Sequence, residues 1–300
     1  MKTEQIDWVE FDVSSTSKYY RVNGVVKLKV YEFTAPINEK PPVVFIPGWV
    51  TKIEVFIPII KQLMTHGHTV YYCELREKAS SRLAIPKPKP EDFSIEHTIA
   101  DLKTLVRQLG FEGKDFFFFG SSLGATLIAD YLSREDTPQN IRPISSVFMV
   151  PALEIRPYTW QKLLIRIPLI FEKIIVSFVQ WYMTRTFTNP EEPEQAYSFI
   201  EKIATIDGRK IQLSAISIDR MNGYQVARFA HKIKDNVLVV GAEKDWLHLE
   251  NDAQIFADQM SNAIYVNLIS NKFTHNGVMG NVASKYYANE SYDEILPKSV

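Results

Sequence analysis

The chain has little of what marks an extracellular, membrane-spanning or nucleic-acid-binding protein. It contains one cysteine, Cys73, so no disulfide can form within it, which suits a reducing compartment. Cys73 ends the apolar run Thr69-Val70-Tyr71-Tyr72-Cys73 and lacks the local cluster of Cys and His that a metal site needs, so a buried strand position is expected. No uncharged apolar run reaches the ~18 residues of a spanning helix. Met1-Lys2-Thr3-Glu4-Gln5-Ile6-Asp7-Trp8 has no apolar core of signal-peptide length. Net charge is also nearly absent: 34 basic residues face 35 acidic ones, for a formal charge of −1. So weak a field argues against a nucleic-acid partner. There is no internal repeat. The one biased tract is Pro86-Lys87-Pro88-Lys89-Pro90, a stiff extended strap. A soluble, cytoplasmic protein is expected.

What is present is enough for a large core. With 300 residues, 46% hydrophobic and 23% charged, the chain suits one α/β domain, or such a domain carrying an insertion. Tyr19 to Phe33 reads as a hairpin turning at Asn23-Gly24. Val43-Val44-Phe45-Ile46 is a short strand of the doubly buried kind and stops at Pro47-Gly48-Trp49. A helical pattern follows from Val55 toward Gly67, then a strand from His68 to Glu74. Ser94 opens a helix that Gly110 ends. Further strands are expected at Ile144 to Val150, Asn236 to Gly241 and Ala263 to Ile269, with helices at Leu123 to Arg134, Leu249 to Met260 and after Asn281. Repeated strand–helix units with continuously apolar strands predict a mostly parallel sheet covered by helices on both faces. Between Pro151 and about Ala215 the rhythm is helical throughout, which predicts an inserted helical unit.

The most informative stretch is Phe116-Phe117-Phe118-Phe119-Gly120-Ser121-Ser122-Leu123-Gly124. A strand-type aromatic run ends in Gly-x-Ser-x-Gly, and a helix begins at once. Small flanking residues let the chain turn sharply and expose the central serine, Ser122. Chance alone gives roughly 0.03 such pentapeptides in a chain of this length. A serine hydroxyl needs a base in reach, and the base needs an orienting carboxylate. Where the serine sits on an elbow of this kind, these follow in the order acid, then base, on loops beyond strand carboxyl ends. Asp245 stands just past the strand that ends at Gly241, with Glu243 a rival nearer the strand. His275 follows the next strand. His248 follows no new strand and suits the pocket wall better. An oxyanion needs preorganised donors. The backbone N–H of Leu123 is one candidate, and that of Trp49, in the Pro47-Gly48-Trp49 turn, is the other.

Phe119-Gly120-Ser121-Ser122-Leu123-Gly124, Gly241-Ala242-Glu243-Lys244-Asp245 and Thr274-His275-Asn276-Gly277, in that order, resemble the α/β-hydrolase superfamily. Within it the chain looks like the capped serine esterases, lysophospholipases and monoacylglycerol lipases. The resemblance implies a catalytic triad of Ser122, Asp245 and His275, with Trp49 and Leu123 lining an oxyanion hole. It implies a hydrolase core over 1–151 and 216–300, with a helical cap over 152–215. Two segments depart from the pattern. Pro47-Gly48 replaces His-Gly, and Glu74-Leu75-Arg76-Glu77-Lys78-Ala79-Ser80-Ser81 replaces a glycine-rich loop.

The insertion is broadly apolar, which suits an acyl-binding roof. Trp160, Phe171, Ile174, Phe178, Trp181 and Tyr182, with His248, are its candidate pocket residues. Between Ala152 and Arg185 five basic residues face two acidic ones, which also suits peripheral contact with an anionic membrane. The expected activity is hydrolysis of a small-molecule ester with a hydrophobic acyl group, through an acyl-enzyme and without metal or organic cofactor. Thioester hydrolysis and acyl transfer would use the same triad. A receptor or scaffold that kept the fold is the alternative of another class. The sequence says nothing of oligomeric state.

Overall fold

The computed structural model describes residues 3–156, 162–163, 165–168, 170, 177, 181, 207–243, 245 and 251–297. In chain order the strands are β1 (Glu4–Trp8), β2 (Val13–Arg21), β3 (Val26–Phe33), β4 (Lys40–Ile46), β5 (His68–Cys73), β6 (Arg82–Leu83), β7 (Phe117–Ser121), β8 (Ser145–Met149), β9 (Glu154–Ile155), β10 (Tyr224–Gln225), β11 (Asn236–Gly241) and β12 (Ala263–Asn267). The helices are α1 (Ile57–Thr65), α2 (Ile95–Gln108), α3 (Leu123–Ser133), α4 (Gly208–Arg220), α5 (Asp252–Asp258), α6 (Asn271–Thr274) and α7 (Gly277–Tyr287).

The main sheet runs β1-β2-β3-β5-β4-β7-β8-β11-β12. From β5 to β12 all neighbours are parallel. The β1–β2–β3 meander joins antiparallel at one edge. This is the fold class expected from the strand–helix rhythm, with its burial pattern explained by two-sided cover. The phenylalanine run shows how. Phe116 and Phe118 face the layer of α2, α3 and α5, whereas Phe117 and Phe119 face the layer of α1 and α7. Alternation along a strand sends neighbours to opposite faces. All four rings are buried because both faces are covered.

The expected elements lie within a few residues of those observed, and the differences have local causes. The last helix starts at Gly277, four residues before Asn281, because the Asn276 side chain caps it through the Val278 N–H (2.8 Å). The short β1 escapes sequence reading because its residues lie at an exposed edge and carry no apolar periodicity. A separate two-stranded ladder pairs β9 with β10. It joins the chain just beyond β8 to the chain that leads into β11. Helix α4 runs unbroken through residue 215.

Candidate active site

Four loops converge at the carboxyl ends of β4, β7, β11 and β12. At the end of β7 the backbone turns through Ser122, with φ +48° and ψ −114°, a region non-glycine residues rarely occupy. The turn is held by the Ser122 N–H donating to the Met149 carbonyl (2.9 Å) and by the Ser122 carbonyl accepting from Thr126 (3.1 Å). Gly120 and Gly124 make it sterically feasible. A Cβ on Gly120 would lie 2.5 Å from the Ala125 Cα, and one on Gly124 would lie 2.7 Å from the Pro47 carbonyl oxygen. Neither glycine is needed for its backbone angle. Both are needed because strand, helix and loop pass so close.

That closeness brings the loop after β4 against the serine. A Cβ at Gly48 would be 3.4 Å from the Ser122 Cβ. The loop is bound on several sides. Trp49 Nε1–H donates to Ser214 Oγ on α4 (3.1 Å), and Thr51 Oγ donates to the Trp49 carbonyl (3.2 Å). Lys78 Nζ donates to the carbonyls of Gly48 (2.7 Å) and Thr51 (2.8 Å). Val50 is forced to φ +64°. Val150 after β8 and Ile269 after β12 also have positive φ, at +44° and +68°. Each such β-branched residue stores of order 1–3 kcal/mol, and strain of this kind gathers where a rim is shaped for binding.

Asp245 and His275 sit beyond β11 and β12. Asp245 Oδ1 accepts from Asn271 Nδ2–H (2.9 Å), and the Asp245 N–H closes a turn onto the Ala242 carbonyl (3.1 Å). His275 ends the one-turn helix α6, where its Nδ1 lies 3.0 Å from the Asn271 carbonyl and 2.9 Å from Thr274 Oγ. A carbonyl oxygen only accepts, so Nδ1 carries the proton and Nε2 the lone pair. Asn271 therefore bridges the two, with its amide on the aspartate and its carbonyl on the imidazole. The His275 ring lies 6.1 Å from that of Phe56, which in turn packs 5.0 Å from Phe45 of β4. Gly280 seats α7 on α1 so tightly that a Cβ there would reach the Ile59 carbonyl at 2.7 Å. Glu243, the rival acid, is exposed, and its N–H donates to Asn267 Oδ1 (3.1 Å).

Trp181 is described as helical and half exposed, whereas Trp160, Phe171, Ile174, Phe178, Tyr182 and His248 lie outside the described residues. Among the described residues no His, Cys, Asp and Glu side chains gather into a metal-holding group, and no helix is long and apolar enough to cross a membrane. Sequence reading did not find Asn271, Thr51, Ser214 or Lys78. Only the first has a faint signal, its place four residues before the histidine on one helical turn.

The likeness to solved structures runs along nearly the whole chain. An enol-lactonase from Burkholderia xenovorans LB400 superposes with a TM-score of 0.70 at 17% identity, covering 91% of this chain and 98% of that one. An esterase from Exiguobacterium antarcticum gives 0.70 at 14% identity, with coverage of 90% and 99%. A thermophilic esterase from Thermogutta terrifontis gives 0.69 at 12% identity, with coverage of 99% and 100%. At such identities these likenesses speak for the fold alone. No curated protein matches the chain. The model of the family described as serine aminopeptidase, S33 (Hydrolase_4) matches residues 38–278. Spanning the sheet from β4 to the start of α7, that match makes the chain a member of this hydrolase family within the α/β-hydrolase superfamily.

Proposed function

We propose that the chain is a serine hydrolase of carboxylic esters with a hydrophobic acyl group. Ser122 Oγ attacks the ester carbonyl, and His275 Nε2 takes its proton. The Trp49 and Leu123 N–H groups receive the developing oxyanion. His275 then protonates the leaving alcohol and later activates the water that cleaves the acyl-enzyme. Asp245, coupled to the imidazole through Asn271, stabilises the imidazolium by its charge. The observation that carries this reading is the strained Ser122 turn packed directly against the Gly48–Thr51 loop. Leu123 is the first residue of α3, where an N–H has no intrahelical acceptor, and it adjoins that turn. The Trp49 N–H has no acceptor among the described residues.

The preference for hydrophobic acyl groups rests on the apolar composition of the segment proposed here as a cap, over 152–215. The structural neighbours named above include esterases and a lactonase, which is in keeping with ester chemistry. The test is labelling with a fluorophosphonate probe. Wild-type protein is expected to label and Ser122→Ala not to. His275→Ala is expected to approach the roughly 10⁶-fold loss typical of triad knockouts. Equal labelling of wild type and Ser122→Ala would overturn the assignment. A panel of p-nitrophenyl esters of rising chain length, with an aminoacyl p-nitroanilide beside it, tests the substrate. Preference for acetate would contradict the hydrophobic acyl site, and faster turnover of the anilide would move the reading to an aminopeptidase.

A further inference from the structure

We propose that Lys78 is a positioning residue for the oxyanion hole: its buried ammonium fixes the Gly48–Thr51 loop so that the Trp49 N–H faces the reacting carbonyl. The inference rests on the serine-hydrolase reading above and adds to it the group that orients one donor.

The Gly48 carbonyl and the Trp49 N–H belong to one planar group and point in opposite directions. Nζ of Lys78 holds that carbonyl at 2.7 Å and the Thr51 carbonyl at 2.8 Å. Anchoring the oxygen on one side therefore aims the hydrogen to the other. A charged donor on the oxygen also polarises the amide, which strengthens its N–H as a donor. The loop would not keep this shape unaided, because Val50 at its centre has φ +64°.

Lys78 is itself firmly held. Its carbonyl accepts from Ser81 Oγ (2.8 Å) and from Lys210 Nζ on α4 (2.9 Å), and Lys210 also donates to the Ser81 carbonyl (2.7 Å). Its ammonium lies 3.8 Å from Glu77 Oε1, and both side chains are 7% exposed. Burial lowers the lysine's proton affinity while Glu77 and Glu74 restore part of it. A buried pair of this kind is seldom the most stable filling, since apolar residues of similar volume often do as well or better. Stability alone is thus a poor reason for an ammonium behind a loop that packs against Ser122.

The experiment compares wild type with Glu77→Gln/Lys78→Met, which removes both charges together and leaves neither unpaired. Esterase kinetics on p-nitrophenyl butyrate are expected to show kcat down about 10²–10³-fold, the loss typical of one oxyanion donor. KM should stay within about threefold, because a donor used only in the transition state leaves ground-state binding alone. Inhibition by phenylboronic acid, whose oxygen occupies the same donors, should weaken in step. A cooperatively folding double variant with kcat within about threefold of wild type would overturn the proposal, and so would a lost kcat with unchanged boronate inhibition. If the double variant does not fold cooperatively, Lys78→Gln carries the same test, with about a tenfold fall in kcat expected and a fall under threefold refuting. Fluorophosphonate labelling of wild type and Ser122→Ala separates the two levels. Serine-dependent labelling with an unaffected Lys78 variant sinks this inference alone, whereas labelling independent of Ser122 sinks both.

Discussion

Gly124→Ala isolates how much of the site depends on close approach. The substitution adds one methyl group to the first turn of α3, at a backbone angle alanine accepts. Helix propensity alone would favour it by about 1 kcal/mol. The new Cβ, however, would sit 2.7 Å from the Pro47 carbonyl oxygen and 2.7 Å from the Ile46 carbonyl carbon, and closer still to the Ile46 oxygen. Ordinary carbon–carbon contacts are about 3.5–4.0 Å, so the end of β4 and the helix must separate by about 1 Å. Those atoms are backbone within a central strand and cannot rotate away. Overpacking of this kind costs about 1–3 kcal/mol, so after the propensity gain the net loss is up to about 2 kcal/mol. For a chain of this size that lowers Tm by up to about 6 °C, at about 2–3 °C per kcal/mol. Pro47 leads directly into the oxyanion loop, and a displacement near 1 Å can lower the rate about 100-fold. Calorimetry and probe labelling read the two effects separately. Gly24→Ala is the control, since a Cβ there meets nothing within 4 Å. Equal Tm and equal labelling for Gly124→Ala and Gly24→Ala would refute the steric account of the turn.

Two stability predictions follow from charges away from the rim. Arg76 and Asp101 form a buried ion pair, joined by an Arg76 Nη2–Asp101 Oδ1 bond of 2.9 Å with Asn23 donating to the same oxygen at 3.1 Å. Asp101→Ala strands the guanidinium and is expected to cost about 3–5 kcal/mol in urea unfolding, with Arg76→Met/Asp101→Leu much milder; a loss under about 1 kcal/mol for the single variant would be inconsistent with a buried pair. The carboxyls of Glu96, Asp136 and Asp219 are held below the usual carboxylate range by hydrogen bonds from Arg134, Lys103 and Lys162 respectively. In the carboxylate range the native state then binds fewer protons than the unfolded one. Their stabilisation is complete above the unfolded values near 4 and is lost as pH falls through the depressed native values. Glu96 and Asp136 are largely exposed, so their part of the effect is small, whereas Asp219 is mostly covered; Arg134→Ala should flatten the acid limb of the urea midpoint, and an unchanged limb would count against it.

The sequence was legible where one local requirement dominates. Ser122 stood out because strand, turn and helix each impose their own residue types on adjacent positions. The parallel core was legible because strands buried on both faces need unbroken apolar runs such as Val237 to Val240. What could not be read are contacts between distant segments made by residues with several ordinary uses. Lys78 and Glu77 lie in a charged stretch that sequence alone places in solvent, yet both are buried, since the turn they occupy is closed over by α4. Asn271 is undistinguished in a loop sequence, and its role arises only because one helical turn folds its carbonyl under His275. The positive φ of Val50, Val150 and Ile269 runs against local preference, because tertiary contacts override it.

The solitary thiol has a practical corollary. Cys73 is fully enclosed between neighbouring strands, its Sγ–H donates to the Tyr71 carbonyl (3.3 Å), and burial raises it far from thiolate formation. Maleimides and similar reagents need a thiolate in contact with water. The native chain is thus a silent background for sulfhydryl chemistry, and a single cysteine introduced on the surface would take a fluorophore or spin label at one known position without any need to remove the natural one.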